Sequence, residues 1–402
     1  MSRTGNLKLI QELNRSLILD TIRKKGPISR TDIAKKLKIS PTTVTTAVSE
    51  LIDGKIVYED GMGSSKGGRK PVLLRFNPDT HSIIGVSVTN SKIKIAEMNL
   101  EGKIKKKNVV KTNNEQGENI IELVMNTLRS FIIDEEINME FCEGVSIITP
   151  GIVDSEEGCI SYNSHLGLYN IPLKEMVEST IGLPTFLEND VNAFVSAENY
   201  FGSYNKYNSI LFLTIGDGIG SGIMINDTLY KGYKGSAGEI GHTTVVPGGI
   251  KCKCGNSGCV ENYVNWPSIH SRIVSAIITK GRDTLIKQYI GKDFTKITPD
   301  MFVMAIREND EVCKEIMEDM INYLSIAIVN AIHTLSPELI ILSGSIIHGN
   351  QVFIDRLQAE VKKRLLPIIR QDVNFQSTSL GPDFDLLGAA SVILQGRFRF
   401  QL

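Results

Sequence analysis

The sequence predicts an α/β protein built from a small, basic, helical N-terminal module and a longer body of alternating strands and helices. Residues 1–80 carry 15 Lys+Arg and 8 Asp+Glu, a balance of +7, whereas the remaining residues carry 29 and 37, a balance of −8. Apolar residues recur at helical spacing up to residue 52, and short apolar runs end in glycine turns from residue 82 onward. A basic module on an acidic body predicts that the N-terminal part meets a polyanion.

The N-terminal module begins with an amphipathic helix over 7–24, which Gly26-Pro27 ends. Its inner face is predicted to consist of Leu13, Leu17, Ile18 and Ile22. Ser29 is the predicted cap of a second helix, with Asp32 three residues later in a capping-box arrangement.

A third helix is predicted over 41–52, because Ser40 is a good cap and Pro41 is favoured at the first helical position. The apolar positions of this helix fall on one side, and small hydroxyl residues remain on the other. Two short helices joined by a tight turn are typical of a helix-turn-helix whose second helix enters the DNA major groove. The alternative is a helical hairpin that contacts protein. We predict DNA contacts from Ser40, Thr42, Thr43, Thr45 and Thr46.

A wing is predicted to follow, with strands over 56–59 and 71–76 and a glycine-rich basic loop between them. Arg69 and Lys70 in this loop are predicted to contact the minor groove, where a narrow A·T tract attracts arginine. The alternative is a flexible linker kept in solvent by its charges. We place the DNA-binding domain at residues 1–76. One such module seldom binds tightly alone, so we expect a homodimer, or a dimer of dimers, on operator DNA.

A cluster of three cysteines and one histidine lies within 18 residues of the body. Thiolate and imidazole at this spacing suit one structural zinc ion per chain, without an open coordination position for catalysis. The predicted ligands are His242, Cys252, Cys254 and Cys259. Free thiols and disulfides are the alternatives. Scattered remaining cysteines and the lack of an apolar run at the N-terminus favour a reduced, cytoplasmic protein, and no run of about 20 apolar residues predicts membrane insertion.

The motifs around this cluster resemble those of the ROK family of repressors and sugar kinases. The pattern runs from Gly-His through a ten-residue step to Cys-x-Cys-Gly-x-x-Gly-Cys-x-Glu, and the glycine-rich run 216–222 and the wing's Gly-Gly-Arg-Lys-Pro also match. The resemblance covers essentially the whole chain, because family repressors carry an N-terminal winged helix. It implies an actin-like, two-lobed ATPase fold over residues 77–402, with a zinc loop at 242–259.

The same resemblance implies a sugar-binding site. In family kinases the residue that matches Asp190 is the base that deprotonates a sugar hydroxyl. Here it is expected to act as a hydrogen-bond acceptor, and His242 is expected to use one ring nitrogen for zinc and the other for the sugar. The alternative for Asn189 and Asp190 is an ordinary helix cap. The implied sugar contacts are Asn189, Asp190, Glu239, His242 and Glu261.

The kinase phosphate loop is altered in this sequence. Family kinases carry Asp-x-Gly-Gly-Thr-Lys after the first strand, whereas this chain has Ser87 for the aspartate and Thr89 and Asn90 for the glycines. Side chains there obstruct the approach of backbone amides to phosphates, so we expect ATP binding to be crippled or absent, and no enzyme activity.

Together these features predict a cytoplasmic, sugar-responsive repressor of a carbohydrate utilisation operon. The N-terminal resemblance to xylose-type repressors favours xylose or a related aldose as the effector, which is expected to enter between the lobes. One alternative is an active ATP-dependent sugar kinase with an appended DNA-binding domain. Another is a regulator controlled by a protein partner.

Overall fold

The computed structural model describes residues 7–63, 70–291 and 293–398. The chain divides into two compact units, Met1–Asp190 with Asp385–Leu402 and Val191–Phe384. The N-terminal module therefore belongs to the same unit as the first part of the body. The domain boundary predicted between residues 76 and 77 falls inside this first unit, and it stays a prediction.

The N-terminal module has three helices and a small antiparallel sheet. Its elements are α1 (Leu7–Lys25), β1 (Ile28–Ser29), α2 (Arg30–Leu37), α3 (Pro41–Asp53), β2 (Val57–Met62) and β3 (Val72–Phe76). The strand order is β1-β3-β2. The first and third helices, predicted over 7–24 and 41–52, agree with these bounds to within one residue, and α2 begins directly after its predicted cap, Ser29. Arg69, in the tip of the predicted wing, lies outside the described residues.

The core of this module forms where α1 packs on α3 and β3. Ile18, Ile22, Val44 and Leu74 are fully buried there. The prediction for α1 was wrong at Leu17, whose exposed fraction is 43%. Successive residues of a helix are about 100° apart, so a helix that buries Ile18 and Ile22 turns Leu17 toward solvent.

Both helix caps predicted in this module are present. The hydroxyl of Ser29 accepts the backbone N–H of Asp32 at 3.1 Å, and the hydroxyl of Ser40 accepts that of Thr43 at the same distance. The hydroxyl of Ser29 also donates to the Asp32 carboxylate at 2.6 Å. These bonds satisfy amides that a helix start otherwise leaves without partners, so α2 and α3 begin at defined residues.

The rest of the first unit is built on a mixed five-stranded sheet with its apolar core against α4. The strands are β4 (Ser82–Val88), β5 (Lys92–Asn99), β6 (Ile104–Lys111), β7 (Cys142–Thr149) and β11 (Thr185–Asn189), and the helices include α4 (Glu118–Asp134) and α5 (Leu173–Ile181). The order is β11-β7-β4-β5-β6, with β6 at one edge. A second small sheet contains β8 (Ile152–Asp154), β9 (Cys159–Asn163) and β10 (Leu168–Ile171).

The second unit is built on another five-stranded sheet. In this sheet the third strand along the chain is at one edge, next to the second, and the fifth is at the other edge, next to the fourth. Its strands are β12 (Ile210–Ile215), β13 (Ile219–Ile225), β14 (Thr228–Leu229), β15 (Leu339–Ser343) and β16 (Asn374–Ser377). Helix α6 (Asp190–Tyr200) begins at the unit boundary, and α13 (Phe384–Phe398) begins where the chain returns to the first unit. The other helices are α7 (Glu261–Val264), α8 (Trp266–Ile278), α9 (Ile286–Ile290), α10 (Pro299–Arg307), α11 (Glu311–Leu335) and α12 (Gln351–Arg364).

The longest of these helices, α11, supplies thirteen buried side chains along its 25 residues, so the core of the second unit forms around it. No helix in the described part of the chain is long and apolar enough to cross a membrane.

A short segment after β3 joins the N-terminal module to the first sheet of the body, and His81 connects the two within the first unit. Its Nε2 lies 2.8 Å from the carbonyl oxygen of Gly54, at the end of α3, and its Nδ1 lies 2.7 Å from the carboxylate of Glu143 in β7. The imidazole ring of His81 packs edge-on against the ring of Phe141. The ammonium of Lys55 lies 4.9 Å from the centroid of the Phe141 ring. The end of α3 therefore rests directly on the body.

Candidate functional site

The four predicted metal ligands converge on one point of the second unit. The ligand atoms of His242, Cys252, Cys254 and Cys259 all lie within 4.8 Å of one another. The sulfurs of Cys254 and Cys259 are 3.7 Å apart, and Nδ1 of His242 is 3.7 Å from the sulfur of Cys252. A tetrahedral ion with zinc–sulfur bonds of about 2.3 Å separates two sulfurs by roughly 3.8 Å. The donor set and its spacing therefore fit one tetrahedral metal ion.

The thiols of the cluster differ in how readily they lose a proton. Burial, reinforced by the neighbouring thiols of Cys254 and Cys252, raises the pKa of Cys259 to about 12. A coordinating thiol is deprotonated outright by its metal, which reverses this shift. A backbone hydrogen bond from Asn256 lowers the pKa of Cys254, so the thiols differ, and a bound cation would favour the thiolate form.

The loop that carries the cysteines folds tightly because of two of its glycines. Gly255 and Gly258 have φ angles of +95° and +79°, which favour glycine. A Cβ at Gly258 would lie 1.8 Å from the carbonyl oxygen of Val246, whereas a Cβ at Gly255 would meet no atom within 4 Å. Gly258 thus allows a close approach of two backbone segments that brings Cys259 to the cluster.

Two residues that sequence reasoning missed hold this loop in place. The side-chain amide of Asn256 donates to the hydroxyl of Thr244 at 2.9 Å and to the sulfur of Cys259 at 3.6 Å. The hydroxyl of Tyr263 accepts the backbone N–H of Ile250 at 2.9 Å. A lone asparagine or tyrosine beside a cysteine motif gives no pattern in the sequence, so no sequence signal could have identified them.

Glu239 and His242 lie next to each other on one side of the cluster. The Nε2 of His242 is 3.8 Å from the carboxylate of Glu239, while Nδ1 faces the cysteine sulfurs. Burial, partly offset by His242 and increased by the charge of Glu261, raises the pKa of Glu239. The two ring nitrogens of His242 thus face different partners, one on the sulfur side and one toward a carboxylate.

Glu261 connects the cysteine loop to the glycine-rich run after β12. Its carboxylate accepts the backbone N–H of Ile219 at 3.0 Å. A Cβ at Gly218 would lie 2.9 Å from the same carboxylate oxygen, so this glycine leaves the space that Glu261 occupies. Glu239, His242 and Glu261 therefore form one polar group in the second unit.

Asn189 and Asp190 lie in the first unit, where β11 ends and α6 begins. The side-chain amide of Asn189 donates to the carbonyl of Gly151 at 2.9 Å, and its backbone N–H donates to the carboxylate of Glu188 at 3.0 Å. Asp190 is the first residue of α6. Asn189 and Asp190 therefore lie together at the end of β11 in the first unit. The group around His242 belongs to the second unit.

The segment 87–92, predicted above to be an altered phosphate loop, forms a tight turn between β4 and β5. The backbone N–H of Thr89 donates to the carbonyl of Lys92 at 2.9 Å, and the backbone N–H of Lys92 donates to the hydroxyl of Thr89 at 3.2 Å. Ser87 is buried in β4 with an exposed fraction of 3%. Two backbone amides of the turn are therefore bonded within the turn itself.

The outer face of α3 presents the predicted hydroxyl side chains. Thr42, Thr45 and Thr46 are exposed, and Thr43 is half-buried. The hydroxyl of Thr45 donates to the carbonyl of Pro41 at 2.8 Å, and that of Thr46 donates to the carbonyl of Thr42 at 3.2 Å. These bonds use the hydroxyl protons and leave the oxygen lone pairs and the methyl groups on the outer face.

Ser40 and Lys70 differ in their surroundings from these threonines. The hydroxyl of Ser40 caps α3 and lies 2.8 Å from the hydroxyl of Thr43, so both are already engaged in the start of the helix. Lys70 is exposed just before β3. The exposed threonines of α3, by contrast, can accept hydrogen bonds from base amino groups through their oxygen atoms and pack against thymine methyl groups through their own methyl groups.

Comparison with known proteins places this geometry in a family. Residues 83–396 match the ROK family, and residues 12–57 match a winged helix-turn-helix DNA-binding family. The chain is 29% identical over 398 residues to the xylose repressor of Caldicellulosiruptor bescii, covering 98% of this chain and 99% of that protein.

Solved structures show the same architecture. A ROK family transcriptional regulator, described as a homologue of the Escherichia coli MLC protein, superposes with a TM-score of 0.87 at 24% identity and covers 97% of both chains. A ROK family glucokinase from Streptomyces griseus, in complex with glucose and AMPPNP, superposes with a TM-score of 0.70 at 26% identity over 78% of this chain and 100% of its own. The chain therefore belongs to the ROK family, with a winged helix-turn-helix joined to a sugar-kinase-like, actin-fold body.

Proposed function

We propose that this protein is a sugar-responsive transcriptional repressor that binds operator DNA through α3 and releases it when an aldose, xylose first among the candidates, binds the body. The observation that carries the proposal is the presence on one chain of an exposed hydroxyl face on α3 and of the polar group around His242. The xylose repressor that shares nearly its whole length with this chain supports the same combination.

The sugar is proposed to contact Asn189, Asp190, Glu239, His242 and Glu261. Carboxylates accept hydrogen bonds and side-chain amides both donate and accept, which suits the hydroxyls of a monosaccharide. A sugar that binds one conformation of the body 100-fold more tightly than another supplies about 2.7 kcal/mol, enough to shift a balanced equilibrium almost completely.

Zinc is the metal that the Cys3His donor set fits best. His242, Cys252, Cys254 and Cys259 would hold it, and a closed four-ligand site supplies structural stabilisation only. The role of these residues is to fix the position of Glu261, two residues after Cys259, and the orientation of the His242 ring.

The signal reaches the DNA through the junction at His81. Because His81 touches both Gly54 at the end of α3 and Glu143 in β7, a rearrangement of the body changes the support of the DNA-binding helix. The expected homodimer on a two-half-site operator would amplify such a change, since two helices must match two sites at once.

The competing function is an ATP-dependent sugar kinase, which the likeness to the S. griseus glucokinase and the glycine-rich run 216–222 favour. Against it, the turn at 87–92 bonds its own amides and lacks the aspartate of family kinases. Incubation with ATP, Mg²⁺ and a panel of aldoses separates the two. We expect no sugar-dependent ADP formation; ADP release at the usual kinase turnover of about 1 per second or more would establish the kinase instead.

Gly218→Ala is predicted to weaken sugar binding at least tenfold, about 1.4 kcal/mol, because the new methyl group displaces the Glu261 carboxylate. A Cβ there would lie 2.9 Å from this carboxylate, which can move as the end of a flexible side chain, so the fold should tolerate the change. Isothermal titration with xylose measures the effect.

Gly216→Ala is the matched control. It adds the same methyl group two residues away, where the nearest atom is the Ser345 hydroxyl at 3.5 Å, an ordinary contact. Equal sugar affinities in the two variants would show that the position of Glu261 does not matter to the ligand.

A further inference from the structure

Two tyrosines lie side by side on the exposed face of the small sheet in the first unit. Tyr162 in β9 pairs with Tyr169 in β10, and their rings meet edge to face with centroids 5.2 Å apart. Their exposed fractions are 37% and 69%. Ile152 in β8 is half-buried and lies opposite Tyr162 on the other side of β9. Directly opposed residues share a face, so these three side chains form one row across the sheet, the tyrosine row.

A bulge in β9 turns this row away from the apolar core. The strand register pairs Tyr162 with Ile152 but pairs Ile160 with Val153. One step along β8 thus matches two steps along β9, and Ser161 is the extra residue. Val153 and Ile160 are buried in the core of the first unit. The bulge therefore lets β9 bury Ile160 and still direct Tyr162 to the surface, and bulges often re-aim a side chain beside a binding site.

Stabilisation of the small sheet explains only part of this arrangement. A cross-strand aromatic pair stabilises a sheet, and single exposed apolar side chains are common. Neither accounts for a bulge that directs a continuous apolar row to the surface. Residues 152–171, which span the sheet, contain three acidic residues and neither lysine nor arginine. Aromatic surfaces that bind nucleic acid carry positive charge as well, so the row suits an uncharged ring better than a nucleotide.

The tyrosine row begins next to Asn189. The carbonyl of Gly151, the residue before Ile152, accepts the side-chain amide of Asn189 at 2.9 Å. A Cβ at Gly151 would lie 2.4 Å from the carbonyl oxygen of Tyr162, so the backbones of these two residues are in close contact. The strand order is β10-β9-β8, and neighbouring strands are about 4.8 Å apart, so the row extends roughly 10 Å from β8 to Tyr169.

We propose that the tyrosine row binds the second ring of a disaccharide or longer glycan whose first ring is held at Asn189 and Asp190. The C–H face of a sugar ring is apolar and packs on aromatic rings, while its hydroxyls stay in water or meet the polar tip of a tyrosine. The row continues from the residue that bonds Asn189, so a glycosidic bond there leads the next ring onto it. The inference rests on the proposed function and makes the effector larger than a monosaccharide.

The test compares xylose with its β-1,4-linked disaccharide xylobiose, and glucose with cellobiose, by isothermal titration of the full chain. At least one disaccharide is expected to bind wild type about tenfold more tightly than its monosaccharide. Tyr169→Ala should lower the affinity for that disaccharide by roughly fivefold to tenfold and leave the monosaccharide within about twofold. Tyr169→Phe keeps the ring and should retain both affinities. Because Tyr169 is mostly exposed, the melting temperature should be nearly unchanged.

Tyr289→Ala is the matched control. Tyr289 lies in the second unit with an exposed fraction of 40%, close to that of Tyr162, and its removal should alter neither affinity. Wild type that binds each disaccharide no more tightly than its monosaccharide, or equal losses of both in Tyr169→Ala, would overturn the assignment. An unchanged disaccharide affinity with an altered oligomeric state in Tyr169→Ala would give the row to a contact between copies of the chain. Failure of wild type to bind any of the four sugars would instead contradict the proposed function, and with it the inference that rests on it.

Discussion

Gly258→Ala is expected to remove the metal and to abolish the response to sugar. The residue has a φ of +79°, and its Cβ would lie 1.8 Å from the carbonyl oxygen of Val246. A backbone carbonyl cannot move aside as a flexible side chain can, so the segment must shift, and Cys259 shifts with it. Because Glu261 follows two residues later, we expect loss of bound zinc, measured as metal per chain, and at least tenfold weaker sugar binding, about 1.4 kcal/mol.

Gly255→Ala is the control that distinguishes the clash at position 258 from the strain that any non-glycine residue has at a positive φ angle. Its φ is +95°, but its Cβ would meet nothing within 4 Å, so it should cost roughly 1–2 kcal/mol of local strain and keep one metal ion per chain. Cys254→Ser, which removes a ligand without touching the backbone, should reproduce the Gly258→Ala result, whereas Cys159→Ser should not. A metal-free Gly258→Ala protein with unchanged sugar affinity would disconnect the metal site from the ligand.

Thr46→Glu is expected to lower operator affinity more than 100-fold, about 2.7 kcal/mol, with no change in sugar affinity. Thr46 is exposed on the outer face of α3, so the substitution places a carboxylate where phosphates and base edges approach. Exposed substitutions of this kind usually alter stability by less than about 0.5 kcal/mol, so thermal unfolding should be nearly unchanged. Electrophoretic mobility shift with operator DNA measures the loss.

Gln11→Glu provides the same change of charge on α1, in the same module. Its effect on operator affinity should be small by comparison. Similar losses in the two variants would mean that the net charge of the module, and not the face of α3, controls binding.

Features that depend on residues close in the chain were predictable from the sequence. The caps at Ser29 and Ser40 involve residues three positions apart, and the four predicted metal ligands lie within 18 residues of the chain, so their spacing encodes their geometry. The bounds of the N-terminal helices followed from the same kind of local signal. The position of Leu17 in α1 was misjudged, since an apolar residue next to Ile18 does not reveal by itself whether it also faces the core.

Features that depend on distant residues were not predictable. The bond from the Ile219 amide to Glu261 joins positions 42 apart in the chain, and His81 meets Gly54 and Glu143 from different elements. Side-chain chemistry indicates that such groups can bind a partner, but only the fold determines where each partner lies.

The most direct test of the account is a titration of the operator-bound protein with xylose and other aldoses, with DNA release followed by fluorescence anisotropy. The duplex is selected by the wild-type protein from a random pool. We expect saturable release by at least one aldose without formation of ADP, and a weaker response in Gly218→Ala than in Gly216→Ala. Operator affinity that no aldose changes, in protein that binds its DNA normally, would contradict the proposal that the body senses a free sugar.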